Sequence, residues 1–124
     1  MSATNIILLV LLAYLIYRYI HKYLISQKIK QYVPAEAKEQ IKLNKNVVVL
    51  DVRIEGERRA GFIKGSINIP VQELRSRVNE LEKFKKNEII VYCRSGNRSL
   101  NAASYLSKKG FNVANLKGGY LSWN

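Results

Sequence analysis

The sequence of 124 residues contains one cysteine, one histidine, two prolines and nine acidic residues. The single Cys93 excludes an internal disulfide framework and a zinc site built from several cysteines. The single histidine excludes a His-rich metal site, and because His21 lies in the N-terminal segment we do not expect it to reach a Cys–His or Ser–His–Asp centre. Few prolines and 48% apolar residues indicate one globular domain rather than a disordered or collagen-like chain.

The first 17 residues carry no charged side chain, and residues 6–17 form an almost wholly apolar run. Continued as a helix to Lys22, this segment reaches about 33 Å, enough to cross the ~30 Å hydrocarbon core of a bilayer. We therefore predict a membrane anchor over residues 1–22. This transmembrane helix and the basic juxtamembrane segment that follows it together make up the predicted N-terminal region, residues 1–33.

The charges around the apolar run predict its orientation. No basic residue precedes the run, and four follow it before residue 34: Arg18, Lys22, Lys28 and Lys30. The positive-inside rule then predicts a single-pass protein of the cell membrane with its C-terminal domain in the cytoplasm, where a lone cysteine stays reduced. A cleaved signal peptide is an alternative, although it lacks a basic start and a small-x-small cleavage site. A buried core helix is another alternative, because the run is only just long enough to span.

The stretch 18–33 alternates basic with apolar or aromatic residues. This pattern fits a helix lying along an anionic membrane surface as well as it fits a solvated linker helix. In both cases Pro34 is the predicted boundary of a soluble domain over residues 34–124.

The soluble domain is basic, because 17 of the 21 Lys and Arg residues and all nine acids follow residue 33. A basic domain raises nucleic acid as a partner. The sequence has no aromatic stacking run, zinc ligands or helix-turn-helix pattern, so we do not expect the protein to bind nucleic acid. The charge fits solubility, an anionic membrane surface or the attraction of small anions.

Apolar strands alternate with helices in the soluble domain. The predicted helices are 34–43, 71–84 and 98–109, and the predicted strands are 46–52, 88–92 and 111–116. This alternation predicts an α/β fold in which a parallel β-sheet is flanked by helices on both faces. In such a sheet, ligands bind at the carboxyl ends of the strands.

The only cysteine follows the strand 88–92, where a glycine-containing loop leads into a helix that begins at Arg98. A helix N-terminus alone contributes only about 0.3–1 kcal/mol to an anion such as a thiolate. Backbone N–H groups of the loop and nearby arginines would have to supply further stabilisation, and they could also hold a small oxyanion. Cys93 is therefore the candidate nucleophile, with an inert buried cysteine as the alternative. The candidate substrate-binding loop comprises Arg94, Ser95, Gly96, Asn97, Arg98 and Ser99.

Four sequence blocks resemble, in order, the single-domain rhodaneses of the rhodanese-like superfamily. They are LDVR at 50–53 with Glu57 after it, GFIKGSINIP at 61–70, VYCRSGNRS at 91–99, and the GF…NLKGG…W ending at 110–123. Each block alone is weak evidence, but four in register are specific, and they span residues 32–124. Phe62 replaces the family's histidine, which removes a pH-sensitive contact but not the nucleophile.

The resemblance implies a rhodanese-type thiosulfate sulfurtransferase that carries sulfur as a Cys93 persulfide. Thiosulfate, polysulfide or a persulfide would donate the sulfur, and cyanide or a thiol would accept it, with no metal and no organic cofactor. Arg94 would attract the anionic donor, and Arg98, held by an acid, would close the loop. Asp51 and Arg53 are interpreted as supporting residues, Asp51 by orienting the loop region and Arg53 by adding positive potential.

Three other functions share parts of this pattern. Cys-dependent phosphatases and arsenate reductases of this fold use a Cys-x5-Arg loop, one residue longer than the spacing from Cys93 to Arg98. A membrane-tethered rhodanese-like module that binds or regulates a protein partner without significant turnover is the main alternative, although such modules usually lack the cysteine. A thiol-redox relay would need a second cysteine to resolve an oxidised Cys93.

Overall fold

The computed structural model describes all residues from 1 to 124, and five parallel strands form one sheet in the spatial order β1-β5-β4-β2-β3. The strands are β1 (Lys30–Tyr32), β2 (Val48–Asp51), β3 (Ile67–Asn68), β4 (Glu88–Tyr92) and β5 (Asn112–Leu116). The helices are α1 (Ala3–Lys28), α2 (Pro34–Leu43), α3 (Glu55–Arg59), α4 (Leu74–Arg77) and α5 (Asn97–Lys108). The predicted α/β class with a parallel sheet is confirmed.

The central strand β4 shows why both faces of the sheet are covered. Its side chains alternate between the two faces, so that Ile89 and Val91 join a core beneath α4 and α5. Ile90 and Tyr92 join a second core on the opposite face, where they lie with Ala37 of α2. The predicted placement of helices on both faces is therefore confirmed, and a strand buried on both sides has to read as a continuous apolar run.

Strand β1 is the main difference from the sequence-based expectation. Residues 18–33 are predicted as a juxtamembrane helix or linker, but the chain leaves α1 at Ile29 and then pairs Tyr32 with Leu116 of β5. Both Ile29 and Tyr32 are buried. Three residues of sequence KQY are too few to show a strand period, so the edge strand is visible only through its pairing. Residues 30–32, which precede the predicted boundary at Pro34, thus form the edge of the sheet.

The segment 71–84 does not form the single amphipathic helix that its spacing predicts. It divides into a 3₁₀ turn at Val71–Glu73, the short helix α4, and a 3₁₀ run at Val78–Phe84. In the last part, Val78, Leu81 and Phe84 recur every third residue, which matches the 3₁₀ period and keeps all three against the core. Helix α3 and strand β3 are also absent from the sequence-based prediction, because neither is long enough to show a period.

Helix α1 is 26 residues long, and none of its residues is buried. Ser2 caps its start by accepting a hydrogen bond from the backbone N–H of Asn5. The helix is long and apolar enough to cross a membrane, with a mean hydropathy of 1.8 over 18 residues. Because none of it is buried, α1 is not a core helix of this domain, whereas a signal sequence would have the same length and composition.

We predict that residues 29–33 stabilise the domain. Removing them takes Ile29 and Tyr32 out of the core, and burial of one large apolar side chain contributes about 1.5–3 kcal/mol. A chain of residues 34–124 should therefore be less stable than a chain of residues 29–124 by about 3–6 kcal/mol. Urea unfolding of both chains measures this difference, and equal midpoints would contradict the role given to β1.

Candidate active site

Cys93 directly follows β4, and its side chain has no exposed surface. The backbone N–H of Gly96 donates to the Sγ atom of Cys93 at 3.1 Å, and the Oγ atom of Ser99 lies 3.3 Å from the same sulfur. Gly96 has a φ angle of 99°, which residues with a side chain rarely adopt, and it is the N-cap residue of α5. This left-handed turn folds the loop back, so that its donors point at the sulfur.

These donors decide the protonation of the sulfur. Burial raises the pKa of the Cys93 thiol, because a desolvated anion is costly. The hydroxyl of Ser99 and the backbone N–H groups of Ser99, Gly96 and Ser95 act in the opposite direction. The donors outweigh burial, and the pKa of Cys93 lies below its ordinary value. The loop therefore favours the nucleophilic thiolate.

Behind the loop, a row of buried and half-buried polar side chains continues away from the sulfur. The hydroxyl of Ser99 lies 2.6 Å from Oδ1 of Asn115 in β5. The amide nitrogen of Asn115 donates to the carbonyl oxygen of Gly96 at 3.3 Å and to Oε1 of Gln31 in β1 at 3.2 Å. Sequence reasoning missed both Asn115 and Gln31. A polar residue between the apolar Ala114 and Leu116 of β5 is the signal that could have found Asn115.

Arg98 joins the loop to α3. Its two terminal nitrogens donate to the two carboxylate oxygens of Glu57 at 2.7 and 2.8 Å. This paired arrangement holds the pKa of the Glu57 carboxyl below its usual range. The resemblance implied an acidic partner for Arg98, and the structure places Glu57 there.

Asp51, the last residue of β2, lies in a buried polar cluster beside the loop. Arg53 binds both of its carboxylate oxygens, at 3.0 and 2.9 Å, while Arg58 and the hydroxyl of Tyr92 contact Oδ2 at 3.1 and 2.9 Å. Burial raises the pKa of the Tyr92 hydroxyl, which therefore stays a donor. Arg53 is only 3% exposed, so its charge is directed at Asp51 rather than at solvent.

The C-terminal segment fixes the outer side of the loop. The backbone N–H of Tyr120 donates to the carbonyl oxygen of Cys93 at 2.8 Å, and the backbone N–H of Leu121 donates to the carbonyl oxygen of Arg94 at 3.0 Å. Gly119 has a φ angle of 62°, and a Cβ atom there would collide with the carbonyl groups of Cys93 and Arg94. Glycine is therefore required where this segment crosses the loop.

The remaining loop residues face outward. Arg94, Ser95 and Asn97 are exposed, whereas Gly96 and Ser99 are buried. The structure thus brings all six residues of the predicted loop around Cys93, with the arginine and two polar side chains on the outside. Asp51 and Arg53 lie at the neighbouring strand end and have no hydrogen bond to the sulfur.

A groove of about 680 Å³ separates the start of α5 from α1. Its polar lining includes Arg18, Lys22, Asn97, Arg98 and Asn101. His21 also lines the groove, but its ring stacks on Tyr17 at a centroid distance of 5.8 Å and makes no hydrogen bond to Cys93. The groove therefore lies between α1 and the loop that follows Cys93, and His21 does not contribute to the site.

The comparisons with known proteins agree with this geometry. The sequence matches the rhodanese-like domain family over residues 33–124. It is 34% identical over 79 residues to a sulfurtransferase from Allochromatium vinosum, covering 63% of this chain and 72% of that protein. The uncharacterized protein YqhL of Bacillus subtilis is 33% identical over 122 residues, covering 97% of this chain and 93% of YqhL.

Solved structures show the same relationship. The crystal structure of a rhodanese-related protein from Thermoplasma volcanium superposes with a TM-score of 0.69 and 39% sequence identity, covering 76% of this chain and 89% of that one. The rhodanese-like domain protein from Staphylococcus aureus superposes with a TM-score of 0.72 and 27% identity, covering 77% of this chain and 92% of that one. The match over residues 33–124 accounts for every strand except β1, and the chain belongs to the rhodanese-like family of sulfurtransferases.

Proposed function

We propose that the protein transfers a sulfane sulfur from an anionic donor to a thiol or cyanide through a persulfide on Cys93. One observation carries this proposal: the only cysteine of the chain lies at a strand end, with hydrogen-bond donors directed at its sulfur. Such a site stabilises negative charge on a desolvated sulfur, which a persulfide intermediate requires.

The reaction has two balanced steps. In the first, the Cys93 thiolate attacks the outer sulfur of thiosulfate, a sulfur–sulfur bond forms to Cys93, and the bond inside thiosulfate breaks to release sulfite. In the second, cyanide or a thiolate attacks the outer sulfur of the persulfide, and the electron pair of the broken bond returns to Cys93. Polysulfide or a small persulfide would enter the first step in the same way.

The loop residues have separate roles in this proposal. Arg94 is exposed and attracts the anionic donor, while Ser95 and Asn97 offer polar groups at the same outer surface. The N–H groups that now face the thiolate then hold the outer sulfur of the persulfide. Since Cys93 has no exposed surface, the outer part of the loop must open for the donor to reach it.

The supporting residues keep the donors in position. Arg98 and Glu57 attach the start of α5 to α3, and Asp51 with Arg53 fixes the strand end beside β4. We propose that the Asp51–Arg53 pair is structural, because neither side chain reaches the sulfur or the solvent. This assignment replaces the positive potential that sequence analysis gave to Arg53.

We predict that thiosulfate adds one sulfur to the protein and that a thiol removes it. Intact mass spectrometry of the full chain in detergent, before and after each reagent, measures the addition and the loss. Cys93→Ser is the control and should gain no sulfur.

Two results would contradict the proposal. One is a folded wild-type protein that gains no sulfur from thiosulfate or polysulfide, which would favour a tethered binding module. The other is a sulfur adduct that persists in Cys93→Ser.

We also propose that α1 anchors the protein in the cell membrane with the sulfurtransferase domain in the cytoplasm. The helix is apolar, none of it is buried, and basic residues follow its apolar part.

We predict that the full chain sediments with membranes, whereas residues 29–124 remain soluble. Protease added outside intact cells should leave the domain uncut, and permeabilisation should make it accessible. The mass of the purified protein tests the signal-peptide alternative, since an anchor keeps residues 1–22. Cleavage of the domain in intact cells, or loss of those residues, would contradict the proposed topology.

A further inference from the structure

Two polar residues outside the active loop connect to Cys93 through one hydroxyl group. Asn115 is 1% exposed and lies in β5, and Gln31 lies in the edge strand β1. Their side chains bond to each other at 3.2 Å, and Asn115 continues to Ser99 at 2.6 Å. Ser99 in turn lies 3.3 Å from the sulfur of Cys93. Buried polar groups are costly unless each of them has a partner, so the arrangement of these side chains calls for a cause.

The orientation of the Asn115 amide follows from its neighbours. The carbonyl oxygen of Gly96 can only accept a hydrogen bond, and it lies 3.3 Å from the side chain of Asn115. The amide NH₂ of Asn115 must therefore face Gly96, and the amide oxygen must face Ser99. That oxygen can only accept, so Ser99 has to donate to it.

In this geometry, two acceptors compete for the hydrogen bond of one hydroxyl group. The Ser99 hydroxyl has a single hydrogen, but two acceptors lie within reach: Oδ1 of Asn115 at 2.6 Å and Sγ of Cys93 at 3.3 Å. The shorter contact goes to Asn115. When Cys93 is a thiol, its S–H can donate to Ser99, and every member of the row is then satisfied. When Cys93 is a thiolate, the sulfur has no S–H to donate and instead accepts hydrogen bonds.

We propose that Asn115 is a positioning residue for Cys93: it accepts the hydrogen bond of the Ser99 hydroxyl while the cysteine is a thiol, and that hydroxyl turns to donate to the sulfur when the thiolate forms. Each ionisation of Cys93 therefore leaves the buried oxygen of Asn115 without a donor. Asn115 therefore disfavours the thiolate, in opposition to the loop N–H groups. Gln31 adds to this effect by fixing the Asn115 amide from β1, the strand next to α1.

The charged groups around the sulfur do not account for this effect. Arg98 is the charged group that interacts with Cys93, and it is paired with Glu57. Asp51, with Arg53 and Arg58, lies at the neighbouring strand end. None of these side chains bonds to Ser99 or Asn115, so the hydroxyl competition can be tested separately from them.

The test is a double-mutant cycle on the unliganded full chain in detergent. The measured quantity is the rate at which iodoacetamide alkylates Cys93 as a function of pH. Asn115→Leu removes the competing acceptor and frees the Ser99 hydroxyl for the sulfur. We expect thiolate to form at lower pH, with alkylation about fivefold faster below the wild-type midpoint, as one additional hydrogen bond would give. In the Ser99→Ala background, Asn115→Leu should produce no acceleration.

Asn112→Leu is the matched control, because Asn112 is exposed on the same strand. It should leave the pH profile unchanged. If Asn115→Leu slows alkylation or leaves it unaltered, or if the acceleration persists without the Ser99 hydroxyl, the proposal is wrong. A purely structural role through Gly96 would give one of these contrary results, because loss of loop donors disfavours the thiolate.

A second measurement does not depend on the folding of the Asn115 variant. Cys93 is the only cysteine, so the infrared S–H band of the protein belongs to it alone. The proposal expects this band at lower frequency in the wild type than in Ser99→Ala, because the S–H donates to Ser99. Equal frequencies would overturn it. The inference rests on Cys93 as the nucleophile of the proposed function, but neither readout involves sulfur transfer, so the two can fail separately.

Discussion

A sulfur atom without exposed surface can carry negative charge only if hydrogen-bond donors replace the water it has lost. Cys93 is in this position, and the rest of the domain serves to hold donors around it. The left-handed turn at Gly96 supplies the close amide contact, and the first turn of α5 supplies the hydroxyl and backbone N–H of Ser99. Because the backbone N–H groups among them are fixed before any reaction begins, they need little reorganisation when charge develops on the sulfur.

The loop keeps this shape because three separate parts of the chain are attached to it. Glu57 holds Arg98 from the side of α3, the C-terminal segment binds the carbonyl groups of Cys93 and Arg94, and Asn115 holds Gly96 from β5. Each attachment comes from the carboxyl-end side of the sheet, where parallel strands place their following loops together. The sheet therefore matters to the chemistry through the positions of its strand ends, and β1 contributes by adding Gln31 to the row behind Ser99.

The sequence predicted those parts of the fold that a local pattern determines. The strand Glu88–Tyr92 and the helix Pro34–Leu43 have their predicted bounds, because an apolar run and a proline start are local signals. Strand β1 could not be predicted, since its three residues are defined by pairing with β5. The same reason applies to the site. Cys93 and its loop are contiguous, whereas Glu57 lies 41 residues before Arg98 and Asn115 lies 16 residues after Ser99.

The pH at which Cys93 ionises tests most directly whether the donors outweigh burial. The ultraviolet absorbance of the thiolate can be followed against pH for the folded chain and for the same chain unfolded in urea, with Cys93→Ser subtracting the tyrosine signal. The account predicts that the folded protein forms thiolate at lower pH than the unfolded chain, whose cysteine should titrate near ~8.5. A folded midpoint at or above the unfolded one would contradict it, because burial would then dominate over the hydrogen bonds of the loop.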